Sequence, residues 1–313
     1  MAPAPIWLTL FAAATGCIDY DVHREMIRDS FTQTGRAGGV DVLWVVDDSP
    51  TMLEEQALAT AQASAFSTLL GKLAVDFRVA AVLTDMDGET AGQLTGPVLS
   101  DDTPGLDTAF AALLAVGADG SRTEQGFAAA LSAADPAVEG DSFARATVDL
   151  ELVFLSDEDD QSGIEPAEVL QALVGQRSGV EVVVNAVVGD APDGCYSPLA
   201  AADPGLAYLE LQELSGGQRE SICDADYGAM LQRLALGVLD LTDRFQLSHV
   251  PSLPTLEVEV DGARLHQRDH DGWRYDPGDN SVVFDGYAVP PPGAGIAVRY
   301  YEWMGLAEPD TGS

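Results

Sequence analysis

Asp47-Asp48-Ser49-Pro50-Thr51 sets a carboxylate and two hydroxyls on alternate positions of a short turn. Alternate positions let three oxygens face one point. The Asp47 carboxylate supplies charge, and the Ser49 and Thr51 hydroxyls ligate as neutral donors. Hard oxygens of this kind suit Mg²⁺, Mn²⁺ or Ca²⁺, and soft metals fit poorly. So few charges leave a bound ion a Lewis acid with an open position for a partner's carboxylate. A second acidic run, Ser156-Asp157-Glu158-Asp159-Asp160, also follows an apolar segment.

Other groups carry weaker chemistry. Asp157-x-Asp159-x-Gln161 with Glu168 partly mimics a calcium loop, but Gly163 falls one place late for its sharp turn. Asp159 and Asp160 read instead as a solvated rim that raises the local cation concentration. His266 and His270 sit between two strand-like runs, in what reads as a polar hairpin loop. Neither a Gly-x-Ser-x-Gly elbow nor a Gly-x-x-x-x-Gly-Lys loop occurs. No nucleophile or base stands out, so a binding protein is expected rather than an enzyme.

The elements that must position these residues show in the hydropathy pattern. Asp41 to Asp47 is an apolar run between acids, as in a central parallel strand buried on both faces. Residues 77–83, 148–155 and 180–188 repeat that pattern. Helical composition covers 52–71, about 107–115, 124–134, 166–176, 205–214 and 226–243. Strands alternating with helices predict a doubly wound α/β fold, a mainly parallel sheet with helices on both faces. In such sheets the site lies beyond the carboxyl ends of the strands, where both acidic turns fall.

With that context, the stretch Asp41-Val42-Leu43-Trp44-Val45-Val46-Asp47-Asp48-Ser49-Pro50-Thr51-Met52 resembles the opening of a von Willebrand factor type A domain. The metal-ion-dependent adhesion site of that family has the form Asp-x-Ser-x-Ser, then a distant Thr and a distant Asp. Asp47 and Ser49 match, and Thr51 keeps the hydroxyl of the second Ser. The distant Asp falls at Asp157. The distant Thr falls at Thr123, with Ser121 as a rival. The resemblance covers about residues 40–245. It implies a metal, Mg²⁺ or else Mn²⁺ or Ca²⁺, held by Asp47, Ser49, Thr51, Thr123 and Asp157. The whole arrangement also resembles von Willebrand type A lipoproteins of predatory and soil bacteria.

At the N-terminus, Ile6 to Ala14 is almost wholly apolar, and Thr15-Gly16-Cys17 follows. This reads as a signal peptide over 1–17. Small residues before a cysteine resemble the bacterial lipobox, which makes Cys17 the point of lipidation. No Lys or Arg precedes the apolar run. Residues 18–39 read as a tether. Export favours a disulfide between Cys195 and Cys223, closing a loop worth roughly 3–4 kcal/mol. After residue 246, short alternating runs and the Asp261-Gly262 hairpin signal predict a small all-β module over 246–303. A tail over 304–313 ends the sequence.

The chain has 313 residues, 46% of them apolar, enough for a buried core. Its 15 basic residues against 51 acidic ones give a net charge of −36, which argues against nucleic acid as a partner. The expectation is an exported, lipid-anchored, cation-dependent binding or adhesion protein of the bacterial envelope, at the outer membrane, periplasm or cell surface. Its partner would be a protein or glycan offering an acidic group, and its membrane contact the lipid anchor alone. The alternative is a metal-independent structural or envelope-assembly subunit. A surface this acidic repels acidic ligands, so the contact has to be local, within a Debye length of about 8 Å.

Overall fold

A computed structural model describes residues 25–36, 38–72, 76–139 and 143–303. The signal segment 1–17 with Cys17, the first part of the tether and the tail over 304–313 lie outside the described residues. The strands are β1 (Met26–Thr32), β2 (Val40–Val46), β3 (Phe77–Leu83), β4 (Leu94–Leu99), β5 (Asp149–Ser156), β6 (Val182–Val188), β7 (Cys195–Tyr196), β8 (Ala201–Ala202), β9 (Arg219–Ser221), β10 (Arg244–Gln246), β11 (Glu257–Val260), β12 (Ala263–Leu265), β13 (Trp273–Asp276), β14 (Ser281–Phe284) and β15 (Gly295–Tyr301). The helices are α1 (Leu53–Ala61), α2 (Ser64–Lys72), α3 (Leu106–Leu114), α4 (Gly126–Ala133), α5 (Pro136–Glu139), α6 (Pro166–Gly175), α7 (Leu206–Ser215) and α8 (Tyr227–Val238). Among the described residues no helix is long and apolar enough to cross a membrane.

The central sheet runs β4-β3-β2-β5-β6-β9. All neighbours are parallel except β4, which pairs antiparallel with β3 at one edge. Every residue of β2 is buried, because helices cover both faces. Val42, Trp44 and Val46 point into one layer with α2, α3 and α8. There Trp44 meets Phe66 and Phe110 at 5.3 and 5.5 Å. Leu43 and Val45 point into the other, with α4, α6 and α7. Its centre is the ring cluster Phe127, Phe154 and Tyr208. This is the doubly wound architecture that the von Willebrand factor type A resemblance implies.

Several boundaries differ from the sequence pattern. The predicted helix over 52–71 is two helices, bent at Gln62 beside Gly228 of α8. Strand β4 carries Gly96 and Pro97, which hid it, and Pro97 is tolerated because β4 is an edge. Helix α8 stops at Val238, and Asp240 follows in the left-handed region with φ 51°. The tether needs correcting: residues 26–32 are strand β1, paired along its whole length with β15.

Among the described residues, the strands outside this sheet form the antiparallel sheets β1-β15-β11-β12 and β10-β14-β13 and the short pair β7-β8. Phe31 of the first and Phe284 of the second both pack against Phe245, tilted and edge-to-face, with ring centroids 5.4 and 5.6 Å away. Their apolar residues join the core layer of α2 and α8. Segment 33–36 bridges the two parts. The Gln33 amide donates to the carbonyls of Thr242 and Pro290. Arg36 donates to the Val238 carbonyl and pairs with Asp149 and buried Glu151.

Candidate metal centre

In the strand order, β2 and β5 are neighbours although the chain visits β3 and β4 between them. Their carboxyl ends meet at the crossing point, the usual place for a site in an open α/β sheet. Asp47 follows β2 and Asp157 follows β5, so the two predicted carboxylates come side by side.

The first turn is built locally. Asp47 Oδ1 accepts from the Ser49 amide at 2.8 Å, a side-chain-closed turn, and Pro50 then opens the short helical turn before α1. Gln56 of α1 reaches back and donates to the Asp47 carbonyl and the Gly117 carbonyl, both at 2.8 Å. The hydroxyls of Ser49 and Thr51 lie 3.0 Å apart, and Thr51 sits close enough to the Asp157 carboxyl to favour its charged form. Across the sheet, the Ser156 hydroxyl donates to Asp47 Oδ2 at 2.6 Å.

The structure brings Asp47, Ser49, Thr51 and Asp157 together. Thr123 is exposed, and its amide donates to Ser121 Oγ. The bonds of Ser121 run to Asp85 and Asp87. The next residue, Glu124, turns inward instead. Its carboxyl bonds the Thr84 hydroxyl and faces Asp47. Nothing in the sequence marks Glu124 as buried among 51 acidic residues.

These carboxyls crowd a dry space. Burial, then the Asp47 charge, pushes Glu124 up to about 8 and Asp157 up to about 7. Burial and Asp85 push Asp48 up to about 6. Four buried carboxyl oxygens have no partner among the described residues: Asp48 Oδ1, Glu55 Oε2, Glu124 Oε1 and Asp157 Oδ1. Unpartnered buried acceptors are costly, and a cation beside the Ser49 and Thr51 hydroxyls would satisfy Asp157 Oδ1. Among the described residues no three His, Cys, Asp or Glu converge on one point. Direct donors would therefore be hydroxyls with one or two carboxylates, and the oxygen chemistry of Ser49, Thr51 and Asp157 fits Mg²⁺ or Mn²⁺.

The remaining acids of the second run have structural work. Asp159 accepts from the Ala207 amide and Asp160 from the Phe127 amide, so they hold the amino ends of α7 and α4 rather than a solvated rim. His266 and His270 are exposed between β12 and β13. Cys195 and Cys223 are bonded, with their Cα atoms 6.0 Å apart.

The chain matches no family model and no curated protein. Among solved structures it is similar to a von Willebrand factor type A protein from Catenulispora acidiphila. Identity is 14%, with 92% of this chain and 63% of that chain covered, at a TM-score of 0.41. It is similar to the pilus adhesin SpaC from Lactobacillus rhamnosus GG, at 10% identity, 88% and 41% coverage and a TM-score of 0.46. It is also similar to an aerotolerance-related membrane protein from Bacteroides fragilis NCTC 9343, at 16% identity, 64% and 98% coverage and a TM-score of 0.40. The chain thus spans less than two thirds of the first two. These likenesses concern the fold alone, and the residue roles rest on the geometry above.

Proposed function

We propose that this protein binds a partner through a divalent cation held at the carboxyl edge of its central sheet. Ser49, Thr51 and Asp157 would hold the ion, and Asp47 would orient the turn while adding charge behind it. When bound, the ion supplies a Lewis-acidic position for an acidic group of a protein or glycan. The observation that supports this most is the unpartnered, buried Asp157 Oδ1 beside the Ser49–Thr51 hydroxyl pair. In this reading the protein is exported and lipid-anchored through Cys17 in the bacterial envelope.

The rival is a metal-independent envelope-assembly subunit, favoured by the lack of three converging acidic or imidazole ligands among the described residues. Titration calorimetry with Mg²⁺ and Mn²⁺ separates the two. Metal uptake by wild type but not by Asp47→Ala supports the binding protein. No heat and no change in melting temperature at millimolar metal supports the subunit.

A further inference from the structure

Beside the metal centre lies a cleft of about 330 Å³. Thr51 and Asp157 are among its lining residues, so it adjoins the proposed ion. Glu54 and Glu55 of α1 line it, as does the 196–201 loop with Tyr196 and Leu199. None of its lining residues is basic.

The loop wall is preformed. Cys195 is bonded to Cys223, and β7 pairs with β8. The Ser197 hydroxyl accepts from the Leu199 and Ala200 amides. The Ala201 amide donates to Glu55 Oε1, and the Asp203 amide to the Asp157 carbonyl. A wall tied at so many points loses little entropy on binding.

Two observations point to an occupant. Glu55 is 2% exposed, yet its Oε2 has no partner among the described residues. Tyr196, by contrast, is 84% exposed. The acids are spread along a wall rather than converging on a point, which suits an extended organic cation and not a second metal. A guanidinium is planar, carries five donors and stacks on aromatic rings, which suits a cleft lined by Glu54, Glu55 and Tyr196.

We propose that this cleft seats an arginine side chain of the partner, beside the acidic group presented to the metal. The inference rests on the metal reading for that neighbouring contact. It also resolves the electrostatic difficulty of a net charge of −36, since a partner segment carrying both signs is not repelled as a bare acid is.

The test uses the full chain with N-acetyl-L-arginine amide as probe and its neutral isostere, N-acetyl-L-citrulline amide, as control. Binding is followed by NMR titration in Mg²⁺ and in chelator. The arginine probe should bind under both conditions, at least about tenfold more tightly than the citrulline probe. Exposed Glu54→Gln and Tyr196→Ala, together with buried Glu55→Gln, should each weaken the arginine probe, while Tyr196→Ala leaves Mg²⁺ affinity unchanged. Equal binding of the two probes overturns the proposal, as does full arginine binding by Glu54→Gln and Tyr196→Ala. Arginine binding without any Mg²⁺ uptake would refute the metal reading and leave the cleft standing. Mg²⁺ uptake without arginine preference would do the reverse.

Discussion

The hydroxyl of Ser156, the last residue of β5, donates to Asp47 Oδ2, the carboxylate just beyond β2. One strand thus aims the acid that follows its neighbour. Groups that orient a ligating shell typically cost ten- to a hundredfold in metal affinity when removed. Ser156→Ala should therefore weaken Mg²⁺ binding by about that factor, measured by calorimetry, with the fold retained.

Asp47→Ala should go further and abolish Mg²⁺ and Mn²⁺ uptake. It deletes the acceptor of the Ser49 amide, and with it the turn that lines up the two hydroxyls. Far-UV circular dichroism should match wild type. Equal metal affinity in the two proteins would remove Asp47 from the site.

Stability should depend on pH in a direction set by the raised carboxyls. Asp157 at about 7 and Glu124 at about 8 lie above their unfolded values near 4. Between those limits the folded protein binds more protons than the unfolded chain. Stability in chelator should then fall as pH rises from about 5 to about 8. A bound cation favours the ionised form, so Mg²⁺ should lessen that fall and bind more tightly at the upper end. Thermal melts at several pH values, with and without Mg²⁺, check both signs. Burial also raises Glu151 to about 8, at the opposite edge of the sheet, and metal should not relieve that share.

Arg36 should matter to stability out of proportion to its place in a connecting segment. It pairs with Glu151, whose side chain is 2% exposed. Removing one partner of a buried pair costs about 3–5 kcal/mol, because the other charge stays behind. Arg36→Met should lose about that much in urea unfolding above about pH 8, where Glu151 is ionised, and less near neutral pH, where its carboxyl holds a proton. Arg36→Met with Glu151→Gln should recover most of it, since Gln still accepts from the Asn185 amide.

The metal turn could be read from the sequence because its signal is local. An apolar run ends in Asp47, and hydroxyls stand at the next alternate places. Asp157 was legible for the same reason. Glu124 was not, since burial of one glutamate depends on how loops converge in space. Strand β1 was hidden for a different reason. Its inward positions are Ile27, Asp29 and Phe31, and the middle one breaks the apolar alternation. Asp29 is tolerated there because Tyr300 and Ser248 donate to its carboxylate.

Loss of the Cys195–Cys223 bond should cost about 3 kcal/mol on the loop-entropy model. Cys195→Ser with Cys223→Ser should lower the unfolding midpoint while Mg²⁺ affinity changes little, because the metal donors come from other loops. Urea titrations of the purified, oxidised protein with and without reductant measure the first effect.

Cys17→Ser should leave the protein exported but no longer held at the membrane. Labelling with radioactive palmitate decides this: the label should enter wild type and miss the variant.

Strand β1 has one more effect, on the order of assembly. Among the described residues it is the first strand, and its partner β15 is the last. Closing so long a loop is entropically costly and slow, so contacts near in sequence form first. The doubly wound domain lies between the two strands in sequence, so its nearer contacts can begin to form before they meet. Once formed, it brings β1 and β15 close together. Until β15 arrives, β1 lacks its neighbour in the sheet, so a chain cut before Gly295 would leave β1 unpaired.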